Sequence, residues 1–252
     1  MNLITIPNPN PSAKVQLFCF PFAGGGARTF LHWYKHLPSI ELCLIAYPGR
    51  EHRFKEKAIT DIDLLLGLLM EECKKVIRTD FAIFGHSMGS IISYGLATKL
   101  EESQIIPKHL FVSSAAAPTR TLKQETMLSL LPEDQFIQTL VERYNAIPDI
   151  ILQDSGLMQI FATILRNDIS LEEQYINKYG AKINNTHLSC NITAFGGVDD
   201  IAVKEKDLMT WKNLTQGKFN IKVLPGTHFY LNEHPDLLFQ EIEKKLDYYY
   251  SA

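Results

Sequence analysis

The chain has 252 residues, a formal net charge of −3 at pH 7 and a hydrophobic content of 46%, which suits one domain with a substantial core. A weakly acidic chain with a pI near 6.2 lacks the electrostatic pattern of a nucleic-acid-binding protein, and no apolar run reaches the ~18 residues that span a bilayer. Because the first residues also lack the basic and apolar regions of a signal peptide, we expect a cytoplasmic protein with no nucleic-acid or membrane partner.

The elements predicted before residue 118 alternate between strands and helices. Proline and asparagine in the first 14 positions indicate a loose tail. Short apolar runs predict buried strands, and apolar residues three and four apart predict an amphipathic helix. In chain order we predict a strand at 15–20, a short helix within 28–37, a strand at 41–47, a helix at 61–77, a strand at 81–84, a helix to about residue 100, and a strand at 109–115.

From residue 118 to about residue 180 only helical periodicity remains, which we interpret as a helical lid inserted over one end of the sheet. Apolar strands separated by helices favour a largely parallel sheet covered by helices on both faces. We therefore predict a single α/β domain over residues 1–252. After the insertion the predicted elements are a strand at 188–195, a helix near 203–214, a strand at 218–224 and a last helix over 235–248.

The motif GHSMG, residues 85–89, follows a predicted strand and opens a predicted helix. The G-x-S-x-G pattern alone arises by chance in about one in ten chains of this length. In this context it predicts a sharp turn that exposes the Ser87 hydroxyl, with Gly85 and Gly89 relieving the crowding. The amide of Met88 can then face a developing oxyanion. Ser87 is the candidate nucleophile, and a small residue at an ordinary turn is the alternative.

A serine nucleophile needs a base, and in this fold class the acid and then the histidine follow the serine along the chain. His228 follows a predicted strand, at the sheet edge where Ser87 is expected, and is the candidate base. His234 is the rival, but its position at a predicted helix start favours a structural role. His109 opens a strand and His187 lies in a polar loop.

The candidate acids are Asp199 and Asp200, which follow the strand at 188–195 in the sequence FGGVDD. They lie in the loop after the penultimate strand, at the same expected edge as His228. Only one needs to pair with the histidine, and the other can cap the next helix. The loop by itself leaves both aspartates open.

The loop FPFAGGG, residues 20–26, follows the first long strand and is expected to supply the second oxyanion amide. Its glycines allow close approach of the backbone to a substrate, and either Ala23 or Phe22 can donate. The glycines also suggest a phosphate loop, but G-x-x-x-x-G-K-[ST] and G-x-G-x-x-G are both absent. We therefore expect no bound nucleotide.

Two histidines and a basic segment have weaker functional interpretations. His32 and His36 lie four apart without the glutamate of H-E-x-x-H, which favours a plain helix face over a zinc site. The segment GREHRFKEK, residues 49–57, includes Arg50 and Arg53. We interpret it as a solvated loop, with a docking site for an acidic partner as the alternative. The four cysteines have neither zinc nor redox spacing.

Several motifs together resemble the type II (external, editing) thioesterases of nonribosomal peptide and polyketide synthesis, a family of the α/β-hydrolase superfamily. The resemblance covers about residues 15 to 240. G-x-S-x-G is shared by the whole superfamily, whereas the PFAGG loop and the ILRND segment are far more specific. The motifs are FCFPFAGGGA, YPGRE, FGHSMGS, LPEDQF, ILRNDI, GGVDD and GTHF.

This resemblance implies an α/β-hydrolase fold with a lid over an acyl pocket, and it implies a role for individual residues. The family's nucleophile falls on Ser87 and its base on His228. Its acid lies three residues after the glycine at 197, which favours Asp200. The oxyanion amides would be those of Met88 and of the PFAGG loop, with Ala23 preferred.

Three positions depart from many relatives in this family. Phe22 stands where many have histidine, which we expect to alter the pocket mouth. Thr227 stands where many have glycine, and Ile201 where many have proline. None of the three changes removes a catalytic group.

The activity that the resemblance implies is hydrolysis of acyl groups from the phosphopantetheine arm of carrier proteins, which edits misprimed or stalled synthases. The partner would be an acyl or peptidyl carrier protein, no metal or cofactor would be required, and a monomer is expected. One alternative is a carboxylesterase or acyltransferase that acts on free small-molecule esters or acyl-CoA. Another is a catalytically dead binding protein on the same scaffold.

Overall fold

The structure is a computed structural model that describes residues 2–119, 121–144, 151, 153–183 and 187–247. Seven strands form one sheet: β1 (Ile4–Thr5), β2 (Val15–Phe20), β3 (Ile40–Ile45), β4 (Asp80–His86), β5 (His109–Ser113), β6 (Asn191–Gly197) and β7 (Phe219–Leu224). Their order across the sheet is β1-β3-β2-β4-β5-β6-β7. Strands β2 to β7 pair in parallel, and β1 alone pairs antiparallel, with β3. The predicted largely parallel sheet is confirmed.

Helices connect these strands, and in the described ranges none is long and apolar enough to cross a membrane. Helix α1 begins where the Asp61 carboxylate accepts a hydrogen bond from the Leu64 amide at 2.8 Å. The α-helices are α1 (Ile62–Val76), α2 (Met88–Glu102), α3 (Glu133–Tyr144), α4 (Ser155–Tyr179), α5 (Glu205–Leu208), α6 (Tyr230–Glu233) and α7 (Pro235–Asp247). Short 3-10 helices lie at Ala27–Phe30, Trp33–Lys35, Glu51–Arg53, Gln124–Thr126, Leu128–Leu130 and Met209–Leu214.

An apolar core lies on each face of the sheet. In β2 and β4, Phe18 and Ile83 point to the core beneath α1 and α2, whereas Leu17 and Phe84 point to the core beneath α7. Alternate side chains of a strand face opposite sides of the sheet, so strands covered on both sides must be apolar throughout. This is the reason that the strand sequences read as continuous apolar runs.

The interval 118–180, predicted to be a helical lid, includes α3 and α4, and its described residues form no strand. Its last two helical patterns join into one helix of 25 residues. The C-terminal part of α4 contributes to the core beneath α2, and its N-terminal part forms a smaller apolar cluster with α3 and Ala23. Residues 120, 145–150 and 152 of the predicted insertion lie outside the described residues.

The predicted loose N-terminal tail is wrong. Residues Ile4–Thr5 pair with β3, and Leu3 and Ile4 are buried. The apolar side chains at these positions extend the sheet by one short strand before the first proline, Pro7.

The two helices predicted at 28–37 and 203–214 are mostly 3-10 structure. Residues 28–37 include two separate short 3-10 helices, and in 203–214 only four residues are α-helical. In the second segment the buried side chains Leu208, Trp211 and Leu214 recur every third residue, and in the first Phe30 and Trp33 have the same spacing. Side chains three apart align in a 3-10 helix, so this spacing directs them into the core.

Candidate active site

Ser87 lies at the junction of β4 and α2 with φ of 54° and ψ of −122°, a sparsely populated conformation for a residue with a side chain. Its amide donates a hydrogen bond to the Ser113 carbonyl at 2.7 Å, and its carbonyl accepts one from the Ser90 amide at 2.9 Å. These bonds secure the turn against the neighbouring strand and the first turn of the helix. The geometry is that of the sharp serine turn predicted from GHSMG.

The glycines on either side of Ser87 permit this turn because the backbone packs against them without room for a side chain. A Cβ atom at Gly85 would overlap the Gly89 carbonyl, and one at Gly89 would overlap the carbonyl oxygen of Phe20. Each overlap is with backbone, which cannot rotate away as a side chain can. The two glycines therefore bring α2 close to the ends of β2 and β4.

We expect Gly89→Ala to lower the free energy of unfolding by at least about 2 kcal/mol, since the added methyl group forces backbone apart. Gly67→Ala in α1 is the matched control: apart from the neighbouring residues and the backbone of its own helix, no described atom lies within 4 Å of its added Cβ. That control should gain up to about 1 kcal/mol from helix propensity. Urea unfolding of both variants measures the difference, and equal stabilities would contradict the close packing at Gly89.

His228 lies between Ser87 and Asp200. Its Nε2 is 3.2 Å from the Ser87 Oγ, and its Nδ1 is 2.8 Å from the Asp200 Oδ2. His228 is 4% exposed and Asp200 is fully buried. The structure therefore brings together the three side chains that the sequence suggested, in the order nucleophile, base and acid.

The Asp200 carboxylate is held on both oxygens. Its Oδ1 accepts hydrogen bonds from the amides of Ala202 and Val203 at 2.8 and 3.0 Å, while its Oδ2 faces His228. Burial alone would raise the pKa of this carboxyl, but His228 and the two amides outweigh burial and lower the pKa below its ordinary value. Asp199 is exposed instead, and its amide donates to the Gly226 carbonyl at 2.9 Å.

A buried polar network beside His228 was not anticipated from the sequence. His86 Nδ1 lies 2.7 Å from the Ser113 hydroxyl, which in turn lies 2.6 Å from the Tyr230 hydroxyl. Burial lowers the pKa of His86 well below its ordinary value, and the neighbouring His228 lowers it further. His86 is therefore a neutral neighbour of His228, with the two rings 5.3 Å apart. The one feature of the sequence that could have indicated this role is the position of His86 directly before Ser87 in the motif GHSMG.

The loop after β2 reaches the same site. Phe22 and Ala23 line a cavity together with Ser87, and the Gly25 amide donates to the Phe22 carbonyl at 2.9 Å. Within the described residues the Ala23 amide has no hydrogen-bond acceptor. The amide of Met88 begins α2, where the first N–H groups lack acceptors within the helix. The amides of Met88 and Ala23 therefore have the capacity to bind an incoming oxygen, and the Phe22 amide, which likewise has no acceptor among the described residues, stays the alternative to Ala23.

Phe22 packs edge-on against Phe229 and His86, with ring centroids 5.0 and 5.8 Å apart. An apolar ring that lines the cavity thus packs against His86. Of the other departures noted in the sequence, Ile201 is 68% exposed, and Thr227 donates its amide to Glu233 at 3.0 Å. Among the described residues, no hydrogen bond joins either of them to Ser87.

The cavity beside Ser87 has a volume of about 460 Å³. Its lining includes Ser114 and Ala115 after β5 and, from helix α4, apolar residues together with Glu172 and Glu173. The Glu173 carboxylate accepts hydrogen bonds from the Leu128 amide at 2.5 Å and from the Ser129 hydroxyl. The Glu173 carboxylate is therefore engaged within the protein, and the apolar residues that α4 contributes to the cavity lining are Leu165, Ile169 and Ile176.

Ser114 is a second residue that the sequence did not single out. It has a positive φ of 47°, and its hydroxyl donates to the His228 carbonyl at 3.3 Å. Its amide donates to the Phe195 carbonyl at 2.9 Å, next to the loop that carries Asp200. Ser114 thus connects the end of β5 to both the histidine loop and the aspartate loop.

Neither interpretation of residues 49–57, as a solvated loop or as a docking site, holds for its two arginines: Arg50 is 7% exposed and Arg53 is 6% exposed. Arg50 forms a buried ion pair with Asp168, and Arg53 pairs with Glu56 and donates to the Ala46 carbonyl at 2.6 Å. A charged side chain in a polar segment is ordinarily interpreted as exposed to solvent. Here both guanidinium groups are buried and form ion pairs or hydrogen bonds within the protein.

The remaining candidate histidines lie elsewhere. His234 and His187 are exposed, and no hydrogen bond joins either to Ser87 within the described part of the chain. His109 is buried against Thr193 at 2.8 Å, and burial lowers its pKa to about 3. His36 stacks on Phe239 in a 3-10 segment. Over the described ranges, no group of three or more His, Cys, Asp or Glu residues could hold a metal ion.

Comparison with known proteins gives matches over nearly the whole chain. A family model described as a thioesterase domain matches residues 15–246. Gramicidin S biosynthesis protein GrsT of Aneurinibacillus migulanus is 40% identical over 228 residues, 90% of this chain and 86% of that protein. The medium-chain S-acyl fatty acid synthase thioesterase of Rattus norvegicus is 34% identical, over 88% of this chain and 83% of that protein. The solved type II thioesterase BorB from the borrelidin biosynthetic cluster has 30% identity and a TM-score of 0.82, with 97% of each chain covered.

Proposed function

The chain belongs to the thioesterase family, and we propose that it hydrolyses acyl groups from the phosphopantetheine arm of a carrier protein in peptide or polyketide synthesis. The observation that carries this proposal is the hydrogen-bonded row of Ser87, His228 and Asp200 beside a cavity of about 460 Å³. The names of similar proteins, a gramicidin S biosynthesis protein and a type II thioesterase of a borrelidin cluster, support the carrier-bound substrate.

In the proposed first half-reaction, the Ser87 Oγ attacks the thioester carbonyl while His228 Nε2 accepts the hydroxyl proton. Asp200 stabilises the resulting imidazolium and keeps Nδ1 protonated. The negative oxygen of the tetrahedral intermediate accepts hydrogen bonds from the amides of Met88 and Ala23. The carbon–sulfur bond then breaks, and His228 returns the proton to the departing pantetheine thiol.

In the second half-reaction, water attacks the acyl-Ser87 ester while His228 accepts one of its protons. The same two amides bind the oxygen again, and the carboxylic acid leaves as the proton returns to the serine. Protein groups and water supply every step, so the proposed reaction requires no cofactor. Removal of unwanted acyl groups in this way would edit a misprimed or stalled synthase.

Helices α3 and α4 are the proposed lid. Apolar side chains of α4, including Leu165 and Ile169, line the same cavity as Ser87. An acyl chain that enters there would bury apolar surface against these side chains. It would also keep water away from the newly formed acyl-Ser87 ester until the pantetheine thiol has departed from the site. The partner in this proposal is an acyl or peptidyl carrier protein, whose arm would reach Ser87 along the cavity.

Turnover of one acyl group presented on three leaving groups, a carrier protein, coenzyme A and an aryl alcohol, tests this function. We expect kcat/KM for an acyl-carrier protein to exceed that for the matching acyl-CoA and aryl ester by at least about tenfold, because carrier contacts add binding energy. A preference for the free aryl ester or acyl-CoA would favour the carboxylesterase or acyltransferase alternative. A folded protein that turns over none of the three and whose Ser87 fails to react with a fluorophosphonate would instead be a binding protein.

A further inference from the structure

The buried ion pair between Arg50 and Asp168 joins two segments that are 118 residues apart in the chain. Arg50 Nη1 and Nη2 donate to Asp168 Oδ2 and Oδ1 at 2.5 and 2.6 Å, and the two side chains are 7% and 3% exposed. Arg50 follows β3 in the sequence YPGRE, and Asp168 lies on α4 in the sequence ILRND. Both motifs are among those that carry the family resemblance, yet the proposed reaction assigns neither residue a role.

The same pair holds the backbone of the loop after β2. The Gly24 amide donates to Asp168 Oδ2 at 2.8 Å, and Arg50 Nη1 donates to the Gly25 carbonyl at 2.9 Å. One N–H and one C=O group of this loop are therefore bound by charged side chains. The Ala23 N–H belongs to the planar peptide unit of the Phe22 carbonyl, which accepts a hydrogen bond from the Gly25 amide at 2.9 Å. The held Gly24 and Gly25 groups are therefore tied to the peptide unit that carries the Ala23 N–H.

Helix α4 also covers the outside of the loop. Gly24 has a φ of 80°, and a Cβ there would lie 2.8 Å from Leu165 Cδ2 and 3.2 Å from the Phe161 ring. Leu165 precedes Asp168 by three residues, so the two side chains lie on one face of the helix. Leu165 also lines the cavity beside Ser87. One helix face thus contacts the acyl site and holds the loop backbone.

We propose that Arg50 and Asp168 are positioning residues that place the Ala23 amide where the oxyanion forms. This inference rests on the proposed function, since it assigns the Ala23 amide the oxyanion role given there. A donor stabilises an oxyanion only if it lies within hydrogen-bond distance of the site where charge develops. A loop rich in glycine does not keep such a position by itself, because its backbone has many accessible conformations.

The energetics favour a positioning role over a purely stabilising one. Desolvation of two charges opposes their attraction, so an apolar pair of similar volume often stabilises a fold equally well or better. An apolar pair cannot bind an amide N–H and a carbonyl oxygen. The charges at Arg50 and Asp168 are thus explained by the two backbone groups that they hold, at Gly24 and Gly25.

Arg50→Lys tests the proposal against Arg53→Lys as a matched control. Arg53 lies three residues away and is equally buried, but it donates to Glu56 and to the carbonyls of Ala46 and Asn2 instead of to the loop. The substrates are a p-nitrophenyl acyl ester and the matching S-acyl pantetheine, which use the oxyanion site without a carrier protein. A trifluoromethyl ketone reports on the oxyanion site directly. The serine oxygen attacks its carbonyl carbon, and the tetrahedral hemiketal that forms carries a negative oxygen where the oxyanion of the reaction would lie.

We expect Arg50→Lys to lower kcat about 10- to 100-fold with KM changed less than about twofold, and to raise the Ki of the ketone by the same factor. Arg53→Lys should change each value less than about threefold, even if the two variants lose similar thermal stability. The pH dependence of kcat/KM should keep its wild-type midpoint in both variants, because the serine, histidine and aspartate are untouched.

Asp168→Asn provides a second variant, which keeps an oxygen for the Gly24 amide but weakens the bond to Arg50, and it should show the same pattern of kcat, KM and Ki. Equal losses of kcat in the Arg50 and Arg53 variants would overturn the inference, and so would a rise in KM with unchanged kcat and Ki. Wild-type turnover of the small esters without turnover of acyl-carrier protein would contradict only the carrier proposal. Wild-type protein inactive toward every substrate would overturn both.

Discussion

Replacement of Ser87 by alanine is expected to lower kcat by about 10⁶-fold, because the attacking oxygen is lost and the other groups of the site act only through it. No acyl-enzyme should form when the variant is mixed with an acyl thioester, which intact mass spectrometry of the protein measures. The fold should persist, because the hydrogen bonds of the turn come from the Ser87 backbone and not from its hydroxyl.

Ser87→Gly is the informative companion variant. It removes the same hydroxyl, so it should be equally inactive. Because glycine adopts the positive φ of 54° without steric strain, the free energy of unfolding of this variant should exceed that of Ser87→Ala by about 1 kcal/mol. Thermal unfolding compares the stabilities of the two variants, and steady-state kinetics under the same conditions compares their kcat values. Retention of more than about 1% of wild-type kcat by either variant would show that another group is the nucleophile.

Asp200→Asn is expected to lower kcat by about 10⁴-fold. The amide can still accept hydrogen bonds from Ala202 and Val203, so the loop keeps its shape. It can, however, present its NH₂ group to His228, which would favour the wrong tautomer of the imidazole and remove the charge that stabilises the imidazolium. Steady-state kinetics on a single acyl thioester measures the loss.

Asp199→Asn is the control for this prediction, since Asp199 is the exposed neighbour of Asp200 and has no hydrogen bond to His228 among the described residues. We expect it to change kcat by less than about threefold. The reverse order of effects would assign the acid to Asp199 and would require a loop conformation different from the one in this structure.

The positions of the candidate nucleophile, base and acid could be predicted from the sequence because each follows a strand signal within a few residues. In a parallel sheet the carboxyl ends of the strands meet at one edge, so Ser87, His228 and the Asp199–Asp200 pair converge without further information. The α/β class followed from the alternation of strand and helix patterns, and the thioesterase family from a resemblance carried mainly by the PFAGG and ILRND segments; the sheet topology and the family match confirm them.

The spacing of apolar residues did not distinguish a 3-10 helix from an α-helix. The segments around Trp33 and Trp211 have apolar residues at intervals of three, which an α-helical pattern also contains. Burial of these side chains in the cores, and not local propensity, selects the tighter helix. The short strand at the N-terminus likewise depends on β3, which lies more than thirty residues away along the chain.

The amino-acid order was sufficient for local features: strand ends, the serine turn and the residues that can carry acyl-transfer chemistry. It could not distinguish a solvated charge from a buried one. Arg50 stands in a segment of mixed charge, and only the folded chain brings it to Asp168, Gly24 and Gly25. The physical reason is that the burial of a charge depends on a partner, and this partner lies 118 residues away on a helix that packs across the site.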